Sequence, residues 1–107
     1  MTKYNKLIRD NIPEIIKKEG KTFSYKQLGN AEFIIELQKK AKEEWNEYLH
    51  SSNDKEAVEE LADILEVVYC LAATHGISEE DLEETRRRKA EIRGTFNNKI
   101  FLIDVEE

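Results

Sequence analysis

NAEFIIELQKKAKEEWNEYLHSSNDKEAVEELADILEVVYCLAATH, residues 30–75, contains two amphipathic segments separated by a short polar break. In each segment the apolar residues recur every three or four positions, which is the periodicity of an α-helix. The break at Ser51-Ser52-Asn53 is short, so the two helices are expected to pack side by side and antiparallel. The stretch therefore predicts an all-α fold.

Capping and breaking residues set the predicted ends of the helices. Asn30 and Ser78 stand where helix N-caps belong, and Asn53 is followed three residues later by Glu56, a capping-box pattern. Gly76 follows the second long helix, as is usual at a helix C-terminus. The predicted helices cover about residues 13–19, 30–49, 53–75 and 78–93.

Short extended segments are expected near both ends of the chain. Residues 21–28 alternate around Phe23 and Tyr25, which predicts a short strand or an extended arm. Residues 100–105 are predicted as a strand that could pair with the segment near Phe23. The expected architecture is one domain over residues 1–107, a helical bundle with two long antiparallel helices plus a third.

The size, charge and hydropathy of the chain limit its possible binding partners and its location in the cell. A chain of 107 residues buries a modest fraction of its surface, so we expect a homodimer or homotetramer to complete the core. A formal net charge of -6 argues against binding to polymeric nucleic acid. The longest apolar run, residues 67–73, is far short of the roughly 20 residues that span a bilayer. Lys3 and Lys6 interrupt any signal peptide, so no membrane association and a cytoplasmic location are predicted.

The first long helix carries acids on its apolar side. Glu44 projects into the sector that contains Phe33 and Leu37, and Glu47 lies on the border of that sector, one turn along. Glu43 projects away and is expected to be solvated. A carboxylate on a buried face is costly unless it is paired or bound to a cation, so Glu44 and Glu47 are candidate site residues.

The second long helix shows the same pattern. Glu60 and Asp63 project onto an extra apolar face near Val67 and Cys70, whereas Glu59 points the other way. Either acid pair alone is compatible with a solvated or salt-bridged helix face. Two such pairs on adjacent antiparallel helices favour a shared site.

Four converging carboxylates repel one another unless a cation neutralises them. The chain offers a single cysteine and two separated histidines, so oxygen ligands point to Mg²⁺, with Mn²⁺ as the other option, rather than to zinc. Such sites usually take substrate phosphate oxygens as further ligands and orient a water for attack on phosphorus. The pattern predicts phosphate chemistry on a small phosphate-bearing substrate.

A phosphate-bearing substrate also requires cations from the protein. Lys89 and Arg93 are four residues apart on the last helix and share a face, although basic residues near a helix C-terminus are also favoured by the helix dipole. Lys6 and Arg9 could reach the phosphates from the N-terminal segment, or could instead form salt bridges with this acidic chain. These four residues are the candidate substrate-binding residues.

Glu44-x-x-Glu47 followed by Glu60-x-x-Asp63 resembles the two metal-binding motifs of the all-α nucleoside triphosphate pyrophosphohydrolases, which include MazG-like proteins, dimeric dUTPases and phosphoribosyl-ATP pyrophosphohydrolase. The later segment from Lys89 to Phe96 looks like the basic segment of MazG-like members. Residues 4–13, YNKLIRDNIP, are similar to a subgroup labelled phosphoribosyl-ATP pyrophosphohydrolase-like.

This resemblance implies a hydrolase that cleaves a nucleoside triphosphate between its α- and β-phosphates, giving a nucleoside monophosphate and pyrophosphate. Non-standard nucleotides are among the expected substrates. The four motif carboxylates would be catalytic and would bind magnesium, one of them helping to deprotonate the attacking water, and Lys89 and Arg93 would bind the triphosphate. The resemblance also implies a dimer or tetramer. Phosphoribosyl-ATP hydrolysis, and a non-catalytic helical binding module, are the alternatives.

Overall fold

The computed structural model describes residues 2–106 and contains, within them, four α-helices and no β-strand. The helices are α1 (Ile12–Lys18), α2 (Asn30–Leu49), α3 (Asp54–Thr74) and α4 (Glu79–Arg93). Each predicted helix is present, and its ends lie within about one residue of the predicted ones, a difference expected for fraying helix termini. The all-α prediction is confirmed.

Helices α2 and α3 form the centre of the molecule as an antiparallel pair. At one end of the pair, Ile34 of α2 and Ala73 of α3 line the same cavity; at the other end, Tyr48 and Ala57 do so. Among the described residues, the buried apolar side chains of these helices are Leu37, Val67 and Ala72. Helix α4 contacts α3, and the chain turns sharply between these two helices.

The start and end of α3 follow the predicted pattern. The Asn53 side chain accepts a hydrogen bond from the Glu56 backbone N–H at 2.9 Å, and the Glu56 carboxylate accepts one from the Ser52 N–H at 2.9 Å. After the helix, Gly76 adopts φ +75°, and the N–H groups of Gly76 and Ile77 return to Ala73 O and Ala72 O. This is a Schellman motif, in which glycine avoids the cost of a left-handed backbone.

The start of α2 differs from the prediction. Gly29 occupies the N-cap position without a side-chain hydrogen bond, and Asn30 is the first residue inside the helix. At α4, by contrast, Ser78 Oγ accepts a hydrogen bond from the Asp81 N–H at 3.1 Å, as predicted. Since glycine is itself acceptable at an N-cap, α2 can begin one residue earlier than its first capping side chain.

The predicted strand over residues 100–105 and its pairing with the segment near Phe23 are wrong, whereas for residues 21–28 an extended arm was the alternative to a strand. In the part of the chain that the structure describes, both segments lack regular secondary structure and form no ladder with each other or with a neighbour. The alternation near Phe23 instead brings its ring onto that of Tyr25, with centroids 5.9 Å apart and planes inclined by 19°. Alternation of apolar and polar residues is compatible with an extended segment, but a β-strand also needs a neighbouring backbone with which to form hydrogen bonds.

A large apolar surface remains exposed on the single chain. Along α3, Leu61 and Leu65 are 44% and 48% exposed, and in the tail Phe101 is 88% exposed. The radius of gyration of 18.3 Å exceeds the roughly 13 Å expected of a compact domain of this length. A single copy of the chain therefore leaves much of its apolar surface in water.

Within residues 2–106, no individual helix has both the length and the hydropathy required to cross a bilayer. Helices α3 and α4 meet those two criteria only when taken together, and they are bent by 103° relative to each other.

Candidate metal centre

The four predicted acids meet between α2 and α3, in the half of the helix pair nearer the connection between the two helices. Glu44, Glu60 and Asp63 each place a carboxylate oxygen within 4.8 Å of the others. Glu47 lies one turn along α2 and belongs to a second group at the same spacing, which contains Glu43 and Glu44. The antiparallel packing therefore brings both acid pairs to one place.

Two oxygens in this cluster are buried without a hydrogen-bond partner. Glu44 is only 6% exposed, although it is a carboxylate, and its Oε2 is unsatisfied. Glu60 Oε2, across the helix interface, is also buried and unsatisfied. Such acceptors are costly in a folded protein unless another group meets them. An oxygen-only donor set of this kind fits a hard divalent cation.

Burial and mutual repulsion shift the titration of the cluster. Burial, followed by the proximity of Glu47, raises the pKa of Glu44. Burial, followed by the neighbouring carboxyl groups of Glu47 and Glu44, raises the pKa of Glu60 to about 7. Without a cation, the cluster therefore holds a proton more readily than ordinary carboxylates do.

These shifts predict that the metal-free protein becomes less stable as the pH rises. Glu60 titrates near 4.5 when unfolded and near 7 when folded, so between these values the folded state binds more protons. Stability then falls as protons are withdrawn, and the loss is complete above about pH 7. Thermal unfolding in a chelator should show the midpoint dropping by several degrees from pH 5 to pH 7.5. A midpoint that stays level, or a Glu60→Gln variant with the same drop, would contradict this.

Lysine side chains offset part of the negative charge. Lys40, one turn before the cluster on α2, places Nζ 3.4 Å from Glu44 Oε1 and 3.5 Å from Glu43 Oε2. Lys6 lies 3.1 Å from Glu43 Oε1. Glu43 is therefore half-buried and paired, and the expectation that it is simply solvated is wrong. Although partial burial opposes it, the hydrogen bond from Lys6 and the charge of Lys40 hold the pKa of Glu43 below its ordinary value.

The segment before α1 crosses the acidic cluster. We call residues 4–11 the N-terminal arm. Its Lys6 pairs with Glu43 of α2, and its Arg9 places Nη2 2.6 Å from Asp63 Oδ1 of α3. The arm is thereby attached to both long helices. Of the two sequence-based interpretations of these basic residues, the salt bridge to the acidic chain is the one observed.

The other two candidate cations lie elsewhere in the same chain. With a rise of about 1.5 Å per residue along α3 and α4 and the 103° bend between them, the backbone of Lys89 lies about 20 Å from the backbone of Asp63. Arg93 lies one turn further out, and Arg86 on the same helix pairs with Glu83. The structure therefore brings Lys6 and Arg9 to the carboxylates but does not bring Lys89 and Arg93 there.

A family model described as phosphoribosyl-ATP pyrophosphohydrolase matches residues 1–90, which include the N-terminal arm, α1, α2, α3 and most of α4. The chain belongs to the phosphoribosyl-ATP pyrophosphohydrolase family. Neither a curated protein nor a solved structure matches it. The resemblance seen in the two motifs is confirmed, and family membership makes the chain a pyrophosphohydrolase, a hydrolase that acts on acid anhydrides in small nucleotide substrates.

Members of the phosphoribosyl-ATP pyrophosphohydrolase family typically depend on a metal, which agrees with the cluster of carboxylates between α2 and α3. Two residues of the site, Lys40 and Glu43, were missed by the sequence analysis. Their signal was present, since Lys40 lies three residues before Glu43 and four before Glu44, the spacing of helix ion pairs. That spacing is common on charged helices and does not by itself single out a site.

Proposed function

We propose that the protein is a magnesium-dependent nucleotide pyrophosphohydrolase that cleaves between the α- and β-phosphates of its substrate and releases pyrophosphate. The observation that carries this proposal is the convergence of Glu44, Glu60 and Asp63, with two buried oxygens that no protein group satisfies. Glu47 completes the proposed ligand set. Mn²⁺ is the other ion that this donor set suits.

The carboxylates of the proposed ligand set differ in how far they are buried. Glu44 is buried and Glu60 is half-buried, so packing restricts both, whereas Glu47 is exposed at the edge of the cluster. One of these carboxylates accepts the proton of the attacking water. When bound, the divalent ion supplies charge that stabilises the phosphate oxygens and the leaving pyrophosphate.

Two substrates fit this proposal, and both carry a triphosphate group. The family name favours phosphoribosyl-ATP, and the two carboxylate motifs are equally consistent with a nucleoside triphosphate, standard or non-standard. In either case the same bond is hydrolysed and the same product, pyrophosphate, leaves. The residues described above bind and activate phosphates, and none of them distinguishes one base or sugar from another.

Phosphate binding is assigned first to the N-terminal arm. Lys6 and Arg9 already lie beside the cluster through their ion pairs with Glu43 and Asp63. Arginine and lysine are both suited to phosphate oxygens. Lys89 and Arg93 lie further from the carboxylates of their own chain, so we assign them a role in phosphate binding that is better met from a second copy of the chain.

We infer that the protein assembles as a homodimer or homotetramer. The support is an apolar stripe on α3, which we call the α3 stripe and which remains exposed on the single chain: Val58, Leu61, Leu65 and Val68. A small helical protein gains stability by burying such a surface against another copy. A cytoplasmic location stays a prediction from the sequence.

Pyrophosphate release tests the proposed activity. The purified protein should release pyrophosphate from at least one member of a panel of nucleoside triphosphates and phosphoribosyl-ATP in the presence of Mg²⁺, and chelation should abolish release. Comparing initial rates across the panel identifies the substrate. A folded protein that releases no pyrophosphate with Mg²⁺ or Mn²⁺ would contradict the proposal and favour a non-catalytic helical binding module, which needs no metal.

A further inference from the structure

We propose that the N-terminal arm is an exchangeable counter-ion for the metal centre. In the metal-free protein Arg9 holds Asp63; when a divalent ion binds the carboxylates, Arg9 leaves Asp63 and becomes available to a phosphate group. This inference rests on the proposed metal site and adds a link between metal binding and phosphate binding.

The contact between Arg9 and the site is close but can be exchanged. A single guanidinium nitrogen, Nη2, approaches Asp63 Oδ1 at 2.6 Å, and the side chains are 56% and 39% exposed. Water can therefore replace either partner. Lys40 differs in this respect, because its side chain is only 18% exposed and is held on α2 beside Glu44. The Arg9 side chain, unlike that of Lys40, can move away without disturbing the helix pair.

Arg9 and a divalent ion compete for the same carboxylate. Asp63 is one of the three acids whose oxygens lie within 4.8 Å of one another, so an ion bound by that group would lie next to the guanidinium. Two positive groups beside one carboxylate repel each other. Bound Arg9 must therefore weaken metal binding, and a bound metal must weaken the Arg9–Asp63 pair by the same factor.

The position of the arm gives the released arginine a target. The Arg9 backbone oxygen accepts a hydrogen bond from the Ile12 N–H at 3.1 Å, which ties Arg9 to the start of α1. Lys6, three residues earlier, is paired with Glu43 on the opposite helix. Because the Lys6–Glu43 ion pair holds the arm at α2, a guanidinium displaced from Asp63 stays near the cluster, where substrate phosphates are expected. Phosphate that takes up Arg9 should in turn favour metal binding.

A titration with Mn²⁺ alone, with the free ion followed by its electron paramagnetic resonance signal, tests the competition. Arg9→Gln should bind Mn²⁺ about 5-fold more tightly than the unmodified protein, the lower range of typical coupling between sites. Lys3→Gln, which removes the same charge from an exposed position just before the arm, should bind as the unmodified protein does. Circular dichroism should show that both variants keep the helical content of the unmodified protein.

A second measurement separates exchange from a purely structural salt bridge. With saturating Mn²⁺, inorganic triphosphate should bind Arg9→Gln about 10-fold more weakly than the unmodified protein, and Arg9→Lys should recover part of the loss. Tighter metal binding together with weaker phosphate binding supports the exchange. Equal Mn²⁺ affinity in Arg9→Gln and the unmodified protein would overturn it while leaving the metal site intact. Failure of the unmodified protein to bind Mn²⁺ would instead contradict the proposed function.

Discussion

Glu60→Gln is expected to lower the rate of pyrophosphate release by at least about 100-fold, an effect of the size seen when a single charge-stabilising group is removed from an active site. Glu60 faces the α2 acids from α3, and its Oε2 is buried without a partner. The amide has nearly the same shape but no negative charge and a weaker oxygen ligand. Initial rates at saturating Mg²⁺, with the substrate found in the panel, measure the loss.

The same substitution should leave the metal-free protein as stable as before, or more stable. Glu60 is the group whose pKa burial and the adjacent Glu47 and Glu44 raise to about 7, so at pH 8 its charge opposes folding. A loss of activity accompanied by an unchanged or higher unfolding midpoint therefore distinguishes a catalytic role from simple misfolding.

Glu59→Gln is the matched control. Glu59 is the preceding residue on α3 and is exposed, and the same change in charge occurs there outside the cluster. Its turnover should remain within about twofold of the unmodified protein, since exposed substitutions away from a site have small effects. If Glu60→Gln and Glu59→Gln had the same turnover, the assignment of Glu60 to the metal centre would be wrong.

The helix pair and its acids could be predicted from the sequence because both depend on local spacing. Helical periodicity placed Glu44 on an apolar face, and the short break at residues 50–53 required the second helix to return beside the first. The capping interaction of Asn53 is equally local, involving residues three positions apart. The helix pair and this cap are confirmed, and each depends mainly on residues a few positions apart in the chain.

The surroundings of the acids could not be predicted, because they depend on the path of the arm. Lys6 and Glu43 are 37 residues apart in the chain, and Arg9 and Asp63 are 54 apart. Periodicity describes one helix at a time and does not say which charge an irregular segment will bring to it. For this reason Glu43 projected towards solvent on α2 and yet lies beside Lys6 of the arm.

The tertiary environment also decides which apolar residues become core. On a helical projection Trp45 falls in the same broad apolar sector of α2 as Phe33 and Leu37, but it is 51% exposed, and its ring stacks on Tyr48 with centroids 5.3 Å apart. The packing partner on one side of α2 is α3, which covers only part of that broad sector. A helical wheel gives the direction of a side chain, whereas burial requires a neighbouring element at that direction.

The α3 stripe leads to the second large prediction, that Leu65→Glu dissociates the assembled protein. Leu65 is 48% exposed on the single chain, and Leu61 and Val68 lie beside it on the same face of the helix. Fully burying a leucine side chain contributes about 1.5–3 kcal/mol, of which the exposed half of Leu65 can supply about half, and a buried unpaired carboxylate in its place adds a further penalty. Light scattering after size-exclusion chromatography should show the mass falling from that of a dimer or tetramer to that of one chain, with a lower unfolding midpoint.

Gln38→Glu provides the control for added charge, because Gln38 is an exposed polar residue on α2 and the substitution also adds one negative charge. It should keep the assembled mass. An unmodified protein that is monomeric at micromolar concentration, or a Leu65→Glu variant that keeps its mass, would contradict an interface on this stripe.

The oligomeric state also bears on catalysis, since the backbone of Lys89 lies about 20 Å from that of Asp63 in its own chain. If Lys89 of another copy binds the substrate phosphates, dissociation should weaken substrate binding while leaving Mn²⁺ binding by the carboxylates intact.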